Sequence, residues 1–230
     1  MSRRTFLCAA LTVGLAVAAH AEPVKRTRYP TLSPDGKTIA FSYHGDLWTV
    51  PASGGRAVRL TSHLARDIQP IYSPDGKSLL FASNRYGNYD LFLMPAGGGV
   101  PKRLTYHSGN EFPSSFTPDG KWILFYGNAY GSSDIYKIPV TGGEPIRLTW
   151  DRREREYFGT VSPDGQWIAY NHNASPGSWR RRGYEGSANA DVWIARFTTP
   201  VSEPRRITTN PGQDFHPQFS RDGKRLYYVS

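Results

Sequence analysis

The sequence is poor in cysteine, and beyond its first 20 or so residues it has no long apolar run. One Cys among 230 residues cannot form an internal disulfide, so a disulfide-stabilised scaffold is excluded. The 23 Gly and 18 Pro interrupt nearly every stretch, which argues against a bundle of long helices. No segment of the remaining sequence is long and apolar enough to span a membrane. These absences leave a fold made of short elements and many turns.

Motifs that carry chemistry are also missing. The sequence contains no G-x-S-x-G nucleophile elbow, no H-E-x-x-H zinc motif and no P-loop. After residue 21 the sequence has five histidines, His44, His63, His107, His172 and His216. They lack the spacing that is typical of metal ligands. The net charge of +9 is spread along the chain rather than clustered, which does not favour nucleic-acid binding. We therefore expect no catalytic residue, metal or cofactor in this chain.

Residues 1–21 have the features of an export signal. Arg3 and Arg4 precede a mostly apolar run from Phe6 to Ala19, and residues 19–21 form a small-x-small cleavage site. We expect the mature chain to begin at Glu22 and to be exported to a bacterial periplasm. The arginine pair fits either a general secretory signal or a twin-arginine signal.

The mature sequence, 22–230, is built from a repeat of about 44 residues, marked by three motifs in constant order. The first is Ser/Thr-Pro-Asp-Gly, with Arg replacing Pro in its last copy, at 33–36, 73–76, 117–120, 162–165 and 220–223. The second is Asp-aliphatic-aromatic, at 46–48, 90–92, 134–136 and 191–193. The third is Arg-Leu/Ile-Thr, at 59–61, 103–105, 147–149 and 206–208. Such periodicity is typical of repeat architectures.

Each motif predicts a local structure. Ser-Pro-Asp-Gly fits a type I turn, and the apolar pair that follows each turn Gly has the period of a strand. The residue between the two is mostly apolar too, so both faces of this strand should be buried between neighbouring sheets. Four short strands per repeat are typical of a β-propeller blade. We predict an all-β propeller of four-stranded antiparallel blades at about 28–61, 67–105, 111–149 and 156–208. Half of a fifth blade, 214–230, would follow, which predicts a fragment of a ring of six or seven blades.

The repeat resembles that of TolB-type propellers over residues 28–230. Residues 179–181, 183–186 and 191–194 (Trp-Arg-Arg, Gly-Tyr-Glu-Gly and Asp-Val-Trp-Ile) resemble the fourth-blade region of tricorn-like serine peptidases. That resemblance implies a second propeller, a PDZ-like module and a serine peptidase domain downstream, which would hold the nucleophile and base. It also implies a non-catalytic role here, gating or docking peptides, with peptides, proteins and the downstream domains as partners. The alternatives are a TolB-like binding propeller without an enzyme, and a propeller before another hydrolase such as an amidohydrolase or a prolyl-oligopeptidase-like domain.

Two groups of residues are candidates for binding. An acid lies six residues before the turn Ser/Thr in four repeats: Asp67, Glu111, Glu156 and Asp214. These acids either form a ring that handles a cation or metal, or anchor the link between blades, which the repetition favours. The fourth repeat also has an insertion containing Trp179, Arg180, Arg181, Arg182 and Tyr184. This cluster either binds carboxylates or an acidic partner, or is a solvated loop.

Overall fold

A computed structural model describes residues 26–150, 155–173 and 189–230. Within these ranges the chain forms 18 β-strands and no α-helix, so the prediction of an all-β fold is confirmed. No helix in this part of the chain is long and apolar enough to cross a membrane.

The strands form four sheets of four strands and one sheet of two. The first sheet contains β1 (Arg28–Leu32), β2 (Thr38–Tyr43), β3 (Asp46–Pro51) and β4 (Val58–Arg59). The second contains β5 (Asp67–Tyr72), β6 (Ser78–Tyr86), β7 (Asn88–Pro95) and β8 (Lys102–Arg103). The third contains β9 (Glu111–Phe116), β10 (Trp122–Tyr130), β11 (Ser132–Pro139) and β12 (Ile146–Arg147). The fourth contains β13 (Glu156–Val161), β14 (Trp167–His172), β15 (Asp191–Arg196) and β16 (Ser202–Arg206), and the last contains β17 (Phe215–Phe219) and β18 (Leu226–Val229).

Every sheet is an antiparallel meander in which spatial order follows sequence order. The first strand of each later sheet contacts strands of the sheet before it, as stacked blades do. The predicted propeller architecture of four-stranded antiparallel blades is thereby confirmed, and we call each sheet a blade below.

The Ser-Pro-Asp-Gly turns connect the first and second strands of each blade. In the first turn the Ser33 hydroxyl donates to the Asp35 carboxylate (2.6 Å) and accepts the backbone N–H of Thr38 (2.9 Å). Asp35 also accepts the N–H of Lys37, and these bonds lower the pKa of the Asp35 carboxyl. Gly36 has φ of 73°, a left-handed conformation that favours glycine. The same bonds recur in the other four turns, which explains the strict repetition of the motif.

The turns gather at one end of the molecule. Arg221 in the fifth turn donates through Nη2 to the carbonyl oxygen of Pro34 in the first turn, at 3.0 Å. Residues 187 positions apart are therefore neighbours, because the blades are arranged around a common axis.

The second strand of each complete blade is buried on both faces, as predicted. In β6, Leu79 and Phe81 pack with Leu47 of the first blade, whereas Leu80 packs with Phe125 of the third. All three β6 side chains are fully buried, and each contributes about 1.5–3 kcal/mol through the hydrophobic effect. Stacking between blades is thus the main source of the core.

The first strand of every blade carries a bulge shortly after the acid position. Two residues after the acid position, the backbone is left-handed in four blades, with φ of 53–55° at Tyr29, Gln69, Phe158 and His216. In the third blade this position is Pro113. The pairing register with the second strand shifts at each bulge. A left-handed conformation at such residues costs about 1–3 kcal/mol, so it persists only because the surrounding contacts impose it.

Candidate functional site

The four repeated acids occupy equivalent places in their blades. Asp67, Glu111 and Glu156 are the first residues of β5, β9 and β13, and Asp214 directly precedes β17. None of the four is more than 3% exposed. Their carboxylates therefore lie inside the protein, where an ionised group needs a partner.

Asp67 is neutralised by an arginine of its own blade. Arg85 Nη2 lies 2.7 Å from Asp67 Oδ2, and Arg85 Nε donates to the Ser83 hydroxyl at 3.0 Å. The guanidinium carbon lies 5.2 Å from the ring centre of Phe92 and 5.7 Å from that of Phe81. This cation is held by one carboxylate, one hydroxyl and two aromatic rings.

Glu156 and Asp214 each accept a hydrogen bond from a polar side chain close by. Glu156 Oε2 accepts the Thr149 hydroxyl at 3.0 Å, and Asp214 Oδ1 accepts the Asn210 side-chain amide at 3.1 Å. His172 Nε2 is 4.0 Å from Glu156 Oε1. Thr149 follows the outer strand of the third blade, so its bond to Glu156 joins two blades. Of the contacts described, only this one is of the kind that an anchor between blades makes, and the role of the four acids stays a prediction.

An ion pair joins the second and third motifs inside each complete blade, which the sequence analysis missed. The Arg Nη2 to Asp carboxylate distances lie between 2.6 and 2.8 Å for Arg59–Asp46, Arg103–Asp90, Arg147–Asp134 and Arg206–Asp191. The signal was available, because Asp and Arg are 13 residues apart in the first three repeats. Burial raises the pKa of Asp90 and of Asp191 even though their arginines oppose the change.

The threonine of the third motif completes this cluster. In each complete blade its hydroxyl accepts the backbone N–H of the residue after the motif Asp, at 2.9–3.0 Å. The acceptor that faces the threonine hydroxyl differs from one blade to another. Thr149 donates to Glu156 of the next blade, whereas Thr61 lies 3.5 Å from Asp46 of its own. The three motifs therefore recur together because their side chains bind one another.

The second predicted group lies outside the described residues. Trp179, Arg180, Arg181, Arg182 and Tyr184 all fall between 174 and 188, and the carboxylate-binding interpretation stays a prediction. Within the described ranges no group of three or more His, Cys, Asp or Glu side chains is arranged to hold a metal ion.

A cavity of about 280 Å³ opens between the second and third blades. Glu111, Phe125, Ala129 and Tyr136 line it, together with residues of the link between the blades. Glu111 Oε2 and Tyr136 Oη are buried there, and neither has a hydrogen-bond partner among the described residues. The cavity thus presents two polar oxygens and two aromatic rings.

Glu111 is electrostatically unlike Asp67. Burial, helped by the nearby charge of Asp90, raises the pKa of its carboxyl to about 7. A hydrogen bond from Thr105 and the charge of Arg103 oppose this only in part, since Arg103 is already paired with Asp90. No cation adjoins Glu111 as Arg85 adjoins Asp67, and no Lys or Arg lines the described cavity.

Comparison with known proteins points to two related kinds of propeller. The family model of the tricorn protease N-terminal β-propeller domain matches residues 25–117, and that of the TolB β-propeller domain matches residues 85–180. The Tricorn protease homolog 1 of Streptomyces coelicolor is 37% identical over 60 residues, which make up 26% of this chain and 5% of that protein. The matching segment is thus a small part of that relative's length.

Two solved structures share the fold. The putative TolB of Agrobacterium tumefaciens superimposes with a TM-score of 0.75 and 26% identity, covering 88% of this chain and 69% of that one. The tricorn protease superimposes with a TM-score of 0.60 and 20% identity, covering 91% of this chain and 20% of that one, a likeness of fold alone. With the blades, motifs and family models in agreement, this chain is a β-propeller that resembles those of TolB and of the N-terminal domain of tricorn protease.

Proposed function

We propose that this chain is the non-catalytic propeller region of an exported tricorn-like serine peptidase. In this role it gates or docks peptides for a peptidase domain that follows it in the same polypeptide. The observation that carries the proposal is the match of residues 25–117 to the N-terminal propeller domain of tricorn protease. The lack of any nucleophile or metal motif in the sequence supports a binding rather than a catalytic role.

The proposal includes export to the periplasm. The basic and apolar leader with its small-x-small site supports cleavage before Glu22. Mass spectrometry of the protein isolated from the periplasmic fraction would give the mature N-terminus. A protein that retains Met1 and stays in the cytoplasm would contradict this part of the proposal.

The main test uses the gene and its full product. The reading frame downstream of Ser230 should encode a second propeller, a PDZ-like module and a serine peptidase domain. A fluorophosphonate probe should label the full-length protein, whereas residues 22–230 should neither react with the probe nor hydrolyse casein. A stop codon soon after ring closure would refute the proposal.

A TolB-like binding propeller without an enzyme is the second candidate. The observation that favours it is the superposition on a TolB structure of which this chain covers 69%. Under this candidate the complete gene encodes only the ring, and affinity capture on the full-length protein should recover an envelope protein and no processed peptides. Labelling of the full-length product by the fluorophosphonate probe would exclude it.

A further inference from the structure

The second and third blades differ beside their buried acids, where Gly127 and Ala129 stand at the positions of Ser83 and Arg85. Their longest hairpins are equivalent residue by residue, because β6 (Ser78–Tyr86) and β10 (Trp122–Tyr130) are both nine residues long and begin 44 residues apart. Asp67 pairs with Ser83 across the first two strands of the second blade, and Glu111 pairs with Gly127 in the third. Ala129 therefore takes the place of Arg85.

The cavity beside Glu111 corresponds to the space that Arg85 fills in the second blade. Four of its lining residues are the counterparts of the Arg85 site: Glu111 for Asp67, Phe125 for Phe81, Ala129 for Arg85 and Tyr136 for Phe92. Replacing arginine by alanine leaves the carboxylate and both rings in place without the cation. The cavity therefore has the carboxylate and the rings of the Arg85 site, and no Lys or Arg of the described residues lines it.

The polar atoms of the cavity suit a planar cation with several donors. Glu111 Oε2 and Tyr136 Oη are buried acceptors without hydrogen-bond partners in the part of the chain that the structure describes, and both residues are at most 4% exposed. Guanidinium groups form charge-assisted bonds with carboxylates and stack on aromatic faces, as Arg85 does. Glu144 adds a second acid at the lining, and His107 lies there as well.

We propose that this cavity binds a guanidinium group from outside the chain, such as the side chain of an arginine in a peptide. Glu111 accepts its N–H groups through Oε2, and Tyr136 Oη accepts another. The stacked Phe125 and Tyr136 rings, whose centres lie 5.2 Å apart, form one wall beside the group, as Phe81 and Phe92 do beside Arg85. The cavity volume of about 280 Å³ is sufficient for one such side chain but not for a large ligand. The proposal does not depend on whether a peptidase domain follows the propeller.

The test is calorimetric titration of the full chain with N-acetyl-arginine amide, using N-acetyl-citrulline amide as the matched neutral probe. The arginine probe should bind at one site, and the citrulline probe should bind at least about tenfold more weakly, because it lacks the charge. Two further titrations, one with a peptide that has an internal arginine and one with free arginine, show whether the bound guanidinium comes from a peptide side chain or from a free metabolite. A lysine probe that binds as well as the arginine probe would overturn the assignment to guanidinium.

Two variants locate the site. Ala129→Arg should abolish binding by filling the cavity with an internal guanidinium, and Glu111→Gln should weaken it at least about tenfold while keeping the cavity's shape. Lys121→Ala, at the exposed turn of the same blade, is the control and should bind as the wild type does. If Ala129→Arg does not fold, as judged by circular dichroism, Glu111→Gln alone decides. Undiminished binding by Glu111→Gln, or no binding of the arginine probe to the wild type, would overturn the proposal.

Discussion

Replacing Ala129 by arginine should stabilise the protein at alkaline pH and not at acidic pH. The reason is Glu111, whose carboxyl has a pKa of about 7 in the folded chain against an ordinary value of 4.5. Below the lower value the group is protonated in both states, and stability is unaffected. Between the two values the unfolded chain releases its proton first, so the free energy of unfolding falls as pH rises. Above about 7 the loss reaches about 3 kcal/mol, at about 1.4 kcal/mol per pH unit.

An arginine at position 129 would give Glu111 the partner that Arg85 gives Asp67. The ionised carboxyl would no longer be penalised, so Ala129→Arg should gain up to about 3 kcal/mol over the wild type at about pH 8. At about pH 4 the neutral carboxyl leaves the new cation without a counter-charge, and no gain is expected. The variant keeps the other titratable groups near Glu111, namely Asp90, Arg103, His107 and Glu144. Their contributions therefore largely cancel in the difference in unfolding free energy between the variant and the wild type.

Urea unfolding of both proteins at a series of pH values measures this difference. Glu111→Gln is the matched control, and it should remove the fall in stability between about pH 4.5 and 7 without adding a charge. The reasoning is refuted if Ala129→Arg changes stability equally at both ends of the range. It is also refuted if the wild type and Glu111→Gln have the same pH dependence.

Three further substitutions test the packing and polar contacts, each measured as a change in the urea midpoint. Arg85→Ala should cost about 3 kcal/mol, because it leaves the buried carboxylate of Asp67 unpaired, and a cost near zero would contradict the pairing. Ser73→Ala should cost about 1 kcal/mol through the lost turn bonds, with exposed Lys77→Ala as a control expected within about 0.5 kcal/mol of wild type. Leu80→Ala should cost about 3 kcal/mol, since this side chain fills the space between two blades, and a smaller loss than for Ser73→Ala would argue against that packing.

The architecture was predictable because the repeat makes each local signal visible several times. The turn bonds of Ser33 and Asp35, and the burial of both faces of β6, follow from residue types at fixed spacing. Side-chain partners were harder to predict. The pairing of Asp134 with Arg147 depends on two strands lying side by side, which spacing suggests only after the sheet is known.

The cavity could not be predicted from the repeated acids themselves. Asp67 and Glu111 look alike in sequence, and their difference arises from positions 18 residues further on, where arginine is replaced by alanine. Only the strand register shows that Arg85 and Ala129 face these acids. A comparison restricted to residues that the repeats share therefore overlooks this position, where the first four repeats carry Gly45, Arg85, Ala129 and Ala174.

The brevity of the outer strands has a consequence for how these molecules meet one another. A long exposed strand edge offers unpaired backbone groups to which another chain can add a strand, and this is a common route to aggregation. The outer edges of the first three blades, β4, β8 and β12, are two residues long. The fourth, β16, is longer, but it contains Pro204, which has no N–H to donate, and charged side chains on both sides of it. The outer edges of the four complete blades are therefore poor templates for edge-to-edge association between molecules.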